Sequence, residues 1–80
     1  MKIRVFITLK AGVLDPQGKA VLQALSAMGF DQLRDVRQGK VIELDLDESD
    51  PEKAAAAARE MCERLLANTV IEDYTLDIQQ

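Results

Sequence analysis

The chain has 80 residues, with 10 basic and 14 acidic side chains that give a formal net charge of −4 at pH 7. This length predicts a single domain, residues 1–80, with a modest core. The acidic balance argues against a nucleic-acid partner or an anionic membrane surface, because both are polyanions. One cysteine and no histidine exclude an internal disulfide, a Cys/His zinc site and a histidine-based catalytic relay. We expect a cytoplasmic chain that binds or assembles and is not catalytic alone.

The first predicted element is a strand over residues 2–9. Ile3, Val5, Ile7 and Leu9 fall on one face at a period of two, as is typical of a half-buried strand rich in β-branched residues. A loop that contains Gly12 follows this strand.

An Asp-Pro pair then predicts the start of a helix. Asp15 suits the N-cap, and Pro16 suits the first helical position, where the missing N–H costs nothing. Gly18 in the first turn weakens the helix by about 1 kcal/mol relative to alanine, and Gly29 suits its end. The apolar residues at helical spacing are Val21, Leu22, Leu25 and Met28.

A second Asp-Pro pair, Asp50 and Pro51, repeats this signal 35 residues later. The predicted helix runs to about residue 67, where Asn68 suits a left-handed stop. Its apolar face is predicted to hold Ala54, Ala58, Met61 and Leu65, with Cys62 and Leu66 beside them.

Three further strands complete the expected order. They are a short strand over 33–36, a strand over 41–47 after a turn at 37–40, and a last strand over 71–78. The order β-α-β-β-α-β predicts an α+β fold of the ferredoxin-like split βαβ type. It implies a four-stranded antiparallel sheet with both helices on one face.

The sheet face without helices offers a candidate surface for self-association. Arg4, Phe6, Val41 and Glu43 are expected there, and the apolar pair supplies contacts for a homodimer or higher homo-oligomer. The alternative is a solvated face with cross-strand ion pairs.

Other candidate sites have simpler interpretations. Cys62 fits a small core residue, because no histidine is present to activate it. The acidic residues at 47–50 lack the ligand spacing of a calcium loop, so no metal site is predicted. A free-standing module of this fold that binds a small molecule remains an alternative function.

Three stretches carry a more specific signal. They are Gly12-Val-Leu-Asp-Pro-Gln-Gly18, Val36-Arg-Gln-Gly-Lys40 and Leu65-Leu-Ala-Asn-Thr-Val-Ile-Glu-Asp-Tyr74. Together, and in this order, they resemble the small PurS subunit of phosphoribosylformylglycinamidine synthase. Length and element order agree from end to end. One departure is Thr69, where the family usually has proline; threonine keeps an N–H and a freer φ there.

The resemblance implies a non-catalytic subunit of an ATP-dependent glutamine amidotransferase in de novo purine synthesis. It implies a PurQ-like glutaminase partner that releases ammonia and a PurL-like synthetase partner that holds ATP and Mg. The small subunit would bridge these two as a dimer and assist ammonia transfer, and would itself bind no cofactor.

The resemblance also turns the motif residues into interface candidates. We expect Gly18, costly in a helix, to allow close approach of a partner's backbone; the alternative is a glycine that is merely tolerated in the first turn. Arg37 and Lys40 are expected to meet partner carboxylates; the alternative is that they are exposed turn charges without a partner. The full set of partner-interface candidates is Gly12, Asp15, Pro16, Gln17, Gly18, Arg37, Lys40, Asn68, Glu72 and Tyr74.

Overall fold

The computed structural model describes residues 1–79 and confirms an α+β fold. In this part of the chain the elements are β1 (Lys2–Leu9), α1 (Pro16–Ala27), β2 (Lys40–Asp45), α2 (Pro51–Met61) and β3 (Glu72–Gln79). A π-helical turn, Cys62–Leu66, continues α2 toward β3.

The strands form one antiparallel sheet with the order β2-β1-β3. β1 lies at the centre, so that Ile3 stands opposite Leu44 on one side and Ile78 on the other. Both remaining strands are edges. The alternation predicted for β1 is confirmed, since every second side chain from Ile3 to Ile7 is buried.

The core lies between one sheet face and α2. Ile3, Val5 and Ile7 from β1 meet a row of small side chains on the helix and the segment after it, namely Ala54, Ala58, Cys62 and Ala67. Small side chains allow the helix axis to lie close to the sheet. The prediction that Cys62 is a core residue is confirmed, because its side chain is fully buried.

The predicted strand over 33–36 is wrong, and so is the four-stranded ferredoxin-like sheet that depended on it. Within residues 1–79 the sheet has three strands, and 33–39 form no regular element. Leu33 closes a turn by donating its N–H to the Phe30 carbonyl, and the Val36 N–H bonds to the Asp35 carboxylate at 2.9 Å. These local partners take the place of the hydrogen bonds of a strand ladder.

The prediction that both helices cover one sheet face is also wrong. In residues 1–79 the substantial contacts join β1 to its two neighbours, and α2 to β3 and to the π-helical turn; α1 takes part in none of them. The described chain is accordingly long and flat, with extents of 48 × 26 × 14 Å.

The end of the second helical segment differs in detail from its prediction. Leu65 is 83% exposed and does not join the core, and Met61 is exposed as well. The five-residue π-helical turn is wider than an α-helical turn, so residues after Met61 leave the predicted register. Asn68 is not left-handed, since the positive φ values among residues 1–79 belong to Gly12 and Gly29. Gly29 therefore ends α1 as predicted.

Candidate functional site

The most constrained surface feature lies where the end of β1, the start of α1 and the segment 36–40 meet; we call it the junction. At its centre lies Asp15, a residue that is only 7% exposed. One carboxylate oxygen accepts the Gly18 N–H at 2.9 Å, and the other accepts the Gln38 N–H at 2.8 Å. Asp15 is thus the predicted N-cap of α1, and it also bonds a segment 23 residues away.

These two bonds set the electrostatics of the junction. The Gln38 and Gly18 amides hold the pKa of Asp15 below its usual value, because both donate to the ionised form. Desolvation opposes this shift, while the charges of Arg37 and Lys19 support it. The carboxylate is therefore ionised at neutral pH with both of its oxygens bonded.

Arg37 bonds the same segment to the end of β1. Its guanidinium donates to the Leu9 carbonyl at 2.6 Å and more weakly to the Lys10 carbonyl at 3.4 Å. Gln38 adds a side-chain bond to Gln17 at 3.1 Å. Arg37 was expected to meet a partner's carboxylate, whereas its observed hydrogen bonds are to its own backbone.

Two glycines allow this close packing. A Cβ at Gly18 would collide with the Asp15 carboxylate and would lie 2.6 Å from the Val36 carbonyl oxygen. A Cβ at Gly39 would collide with the Ile7 carbonyl oxygen. The space that Gly18 was expected to leave for a partner's backbone is therefore filled by its own chain.

The structure brings most of the partner-interface candidates together around the junction. A cleft of about 430 Å³ is lined there by Asp15, Pro16, Gln17, Lys40 and Glu72, among others. An adjoining cleft is lined by Gly12 and Arg37 on the far side of Asp15.

Asn68 and Glu72 extend this surface through the turn before β3. The Asn68 N–H donates to the Glu72 carboxylate at 2.7 Å, and the Glu72 N–H donates back to the Asn68 carbonyl at 2.7 Å. The Asn68 side chain also accepts the Val70 N–H at 3.2 Å. These hydrogen bonds on both sides of Thr69 hold the turn in one conformation. The turn therefore does not depend on a proline at position 69.

Tyr74 lies apart from the other candidates. It is half-buried on the sheet face that packs on the core. Interaction with the Glu63 side chain raises the pKa of the Tyr74 phenol, and desolvation adds to this effect. The phenol is therefore neutral at physiological pH.

The four self-association candidates occupy the open sheet face as predicted. Phe6 pairs with Val41 in the register and Arg4 with Glu43, with 3.6 Å between the Arg4 Nε and the nearer Glu43 oxygen. Phe6 is 39% exposed and Val41 is 53% exposed. The face thus has an apolar pair beside an ion pair, which is consistent with both interpretations of it.

A second apolar surface lies on α1, which makes no substantial contact with the strands or with α2 in the described part of the chain. It comprises Val21, Leu22, Leu25, Met28 and the neighbouring Phe30, and we call it the α1 face. Met28 is 72% exposed and Phe30 is 46% exposed. Contiguous exposed apolar side chains of this kind mark interaction sites in small proteins.

The candidates for metal binding and thiol chemistry in the described chain are its acidic side chains and Cys62. Among residues 1–79 no three Cys, Asp or Glu side chains are placed to hold a metal ion. Burial raises the pKa of the Cys62 thiol, and the Glu63 charge adds to this, so the thiolate is disfavoured. No helix in residues 1–79 is long and apolar enough to cross a bilayer.

Two junction residues, Gln38 and Gly39, were missing from the candidates. Both lie inside the quoted stretch from Val36 to Lys40, so the motif itself was the available signal. The apolar residues of α1 were predicted to lie on a helix that covers the sheet, because covered and uncovered amphipathic helices have the same periodicity.

Comparison with known proteins agrees over almost the whole length. The family model PurS, described as phosphoribosylformylglycinamidine (FGAM) synthase, matches residues 2–80. The PurS subunit of this synthase from Bacillus subtilis is 48% identical over 99% of this chain and 93% of its own. The Methanocaldococcus jannaschii subunit is 38% identical over 99% and 95%.

Solved structures give the same result. A crystal structure of Bacillus subtilis PurS superposes with a TM-score of 0.86, covering 99% of this chain and 98% of that one, at 48% identity. A chain in the structure of PurLQS from Thermotoga maritima superposes with a TM-score of 0.87, covering 95% and 93%, at 29% identity. These similarities extend through α1, the junction and β3 alike.

Proposed function

Because the chain belongs to the PurS family of FGAM synthase subunits, we propose that it couples a PurQ-like glutaminase to a PurL-like synthetase in the cytoplasm. The reaction converts formylglycinamide ribonucleotide, glutamine, ATP and water to formylglycinamidine ribonucleotide, glutamate, ADP and phosphate. In this proposal ATP and Mg are held by the synthetase, and the small subunit holds the two larger chains in position.

The observation that carries the proposal is the match, through nearly the full chain, to a component of the PurLQS structure. A subunit that joins two enzymes needs surfaces, and the chain offers the junction, the open face and the α1 face. Ammonia released into water is lost to protonation and diffusion, so enclosing its route between partners favours transfer. The free-standing ligand-binding module has no support, because the relatives are synthase subunits.

Reconstitution tests this role. We expect the purified synthetase and glutaminase to use free ammonia with or without this chain. Their use of glutamine is expected to rise from background to a rate comparable with the ammonia rate only when the chain is added. The measurement is product formation with each nitrogen source. An equal response of both rates, or of neither, would contradict the coupling role.

The α1 face supports a second part of the proposal, which is that the chain is a homodimer. Ile42, Leu44 and Leu46 of the β2 side remain only half-buried, and α1 of the same chain does not cover them. A second copy supplies a matching apolar helix, and reciprocal packing buries both surfaces at once. Small domains commonly complete their burial by such pairing.

Charge placed on the α1 face is expected to separate the dimer. The double variant Val21→Glu, Met28→Glu should raise the dissociation constant of the homodimer at least about 100-fold, because dimerisation would bury unpaired carboxylates. Sedimentation equilibrium measures this. Gln23→Glu is the matched control, since it adds one such charge on the opposite side of α1. Dissociation by Phe6→Glu instead would place the dimer contact on the open face.

A further inference from the structure

The position of α1 relative to the sheet depends on very few contacts. Within residues 1–79 the helix has no substantial packing against a strand or against α2. Its first turn is joined to the rest of the chain at the junction, and its C-terminal end carries the exposed Met28 and Phe30. A change of angle at the first turn therefore displaces the whole α1 face.

We propose that the buried Asp15 carboxylate is a positioning residue that sets the angle of α1, and thereby presents the α1 face to a second copy of this chain. The inference deepens the proposed homodimer and rests on it for its functional meaning. The assignment to Asp15 itself rests on the junction.

The geometry assigns this role to Asp15 because its two oxygens bond two different segments. The Gly18 amide belongs to the first turn of α1, and the Gln38 amide belongs to the segment that leads into β2. Arg37, next to Gln38, is bonded to the end of β1. The helix is thus joined through one carboxylate to a segment that is itself joined to the central strand.

The second helix supplies an internal comparison. Asp50 also stands before a proline and caps its helix, accepting the Glu52 N–H at 3.0 Å. Its side chain is exposed, and α2 is located independently by its packing against the core. Asp50 is therefore a cap alone, whereas Asp15 is both a cap and a bridge between segments.

Substitution of Asp15 by asparagine separates its role as a helix cap from its role as a bridge between segments. Asparagine and aspartate are comparable N-caps, so Asp15→Asn keeps the bond from Gly18. Its amide nitrogen then faces the Gln38 N–H, which places a donor against a donor. Asp50→Asn makes the same chemical change where no bridge exists, and it is the matched control.

We expect Asp15→Asn to raise the hydrogen-exchange rate of the Gln38 amide and the dissociation constant of the homodimer, each at least about tenfold. Asp50→Asn is expected to change neither. NMR-detected amide exchange and sedimentation equilibrium on the full chain supply the two readouts. Equal dissociation constants for the two variants would overturn the inference, even if Gln38 exchange increased.

A wild-type chain that remains monomeric at every concentration would contradict the proposed homodimer, not the bridge. In that case, spin labels on Ser26→Cys and Thr75→Cys measure the angle directly, since both sites are exposed and the buried Cys62 is not labelled. A broader distance distribution in Asp15→Asn than in Asp50→Asn would support the inference. Identical distributions would overturn it.

Discussion

Replacing Ile7 by alanine is expected to lower the free energy of unfolding by about 2–5 kcal/mol. Ile7 is 1% exposed and belongs to the core between β1 and α2. The substitution removes three methyl or methylene groups and leaves a cavity, because the alanines on the opposing helix are too small to fill it. A domain of this size has a stability of about 5–10 kcal/mol, so a large share of it would be lost.

Phe6→Ala is the matched control, because Phe6 is the chain neighbour of Ile7 and lies on the opposite sheet face. It removes more atoms, yet we expect a smaller loss of stability, since the ring is already partly in water. Urea denaturation of both variants at one fixed protein concentration makes the comparison, because dimer stability depends on concentration. A larger loss for Phe6→Ala would mean that the open face is buried in the dimer.

The parts of the fold that sequence alone predicted are those decided by neighbouring residues. The alternation from Ile3 to Ile7 gave β1 its buried face, and the Asp-Pro pairs placed both helix starts correctly. These signals are local, because a cap or a period of two acts within a few residues. The end of α1 at Gly29 was also predicted from a local signal, the glycine itself.

The errors concern what each element packs against. Val21 and Leu25 have the spacing of core residues, and nothing in that spacing says whether the opposing surface belongs to the same chain. The prediction included a strand over 33–36, and the resulting order β-α-β-β-α-β placed α1 on the sheet of its own chain. In the structure α1 makes no substantial contact with the sheet, and the Leu33 and Val36 amides bond to local partners.

The junction was predictable only in part for a related reason. Asp15 was recognised as a cap from its own neighbours, but its second bond reaches Gln38, 23 residues away. Arg37 was expected to serve a partner because an exposed basic side chain in a turn looks the same whatever it binds. Long-range hydrogen bonds of this kind leave no periodic signal in a sequence.

Gly18→Ala is expected to destabilise the chain, although alanine is the better helix former. Helix propensity alone predicts that alanine is more stable than glycine by about 1 kcal/mol in a helix interior. The added Cβ would collide with the Asp15 carboxylate and lie 2.6 Å from the Val36 carbonyl oxygen. Neither neighbour moves freely, since both Asp15 oxygens are bonded and the Val36 carbonyl is backbone. Overpacking of this kind costs about 1–3 kcal/mol, so we expect a net loss.

The second helix again provides the control, because Lys53 holds the same position after Asp50-Pro51 that Gly18 holds after Asp15-Pro16. Lys53 is exposed, so comparing Lys53→Gly with Lys53→Ala measures the intrinsic glycine-to-alanine difference in this context. We expect alanine to be more stable at 53 and less stable at 18 in urea denaturation. A stability loss at position 18 together with a gain at position 53 would show that close packing at the junction causes the loss. If alanine raised stability at position 18 as much as at position 53, the segment 36–39 would have to move to make room for the Cβ. In that case α1 would be held less firmly than the hydrogen bonds of Asp15 imply.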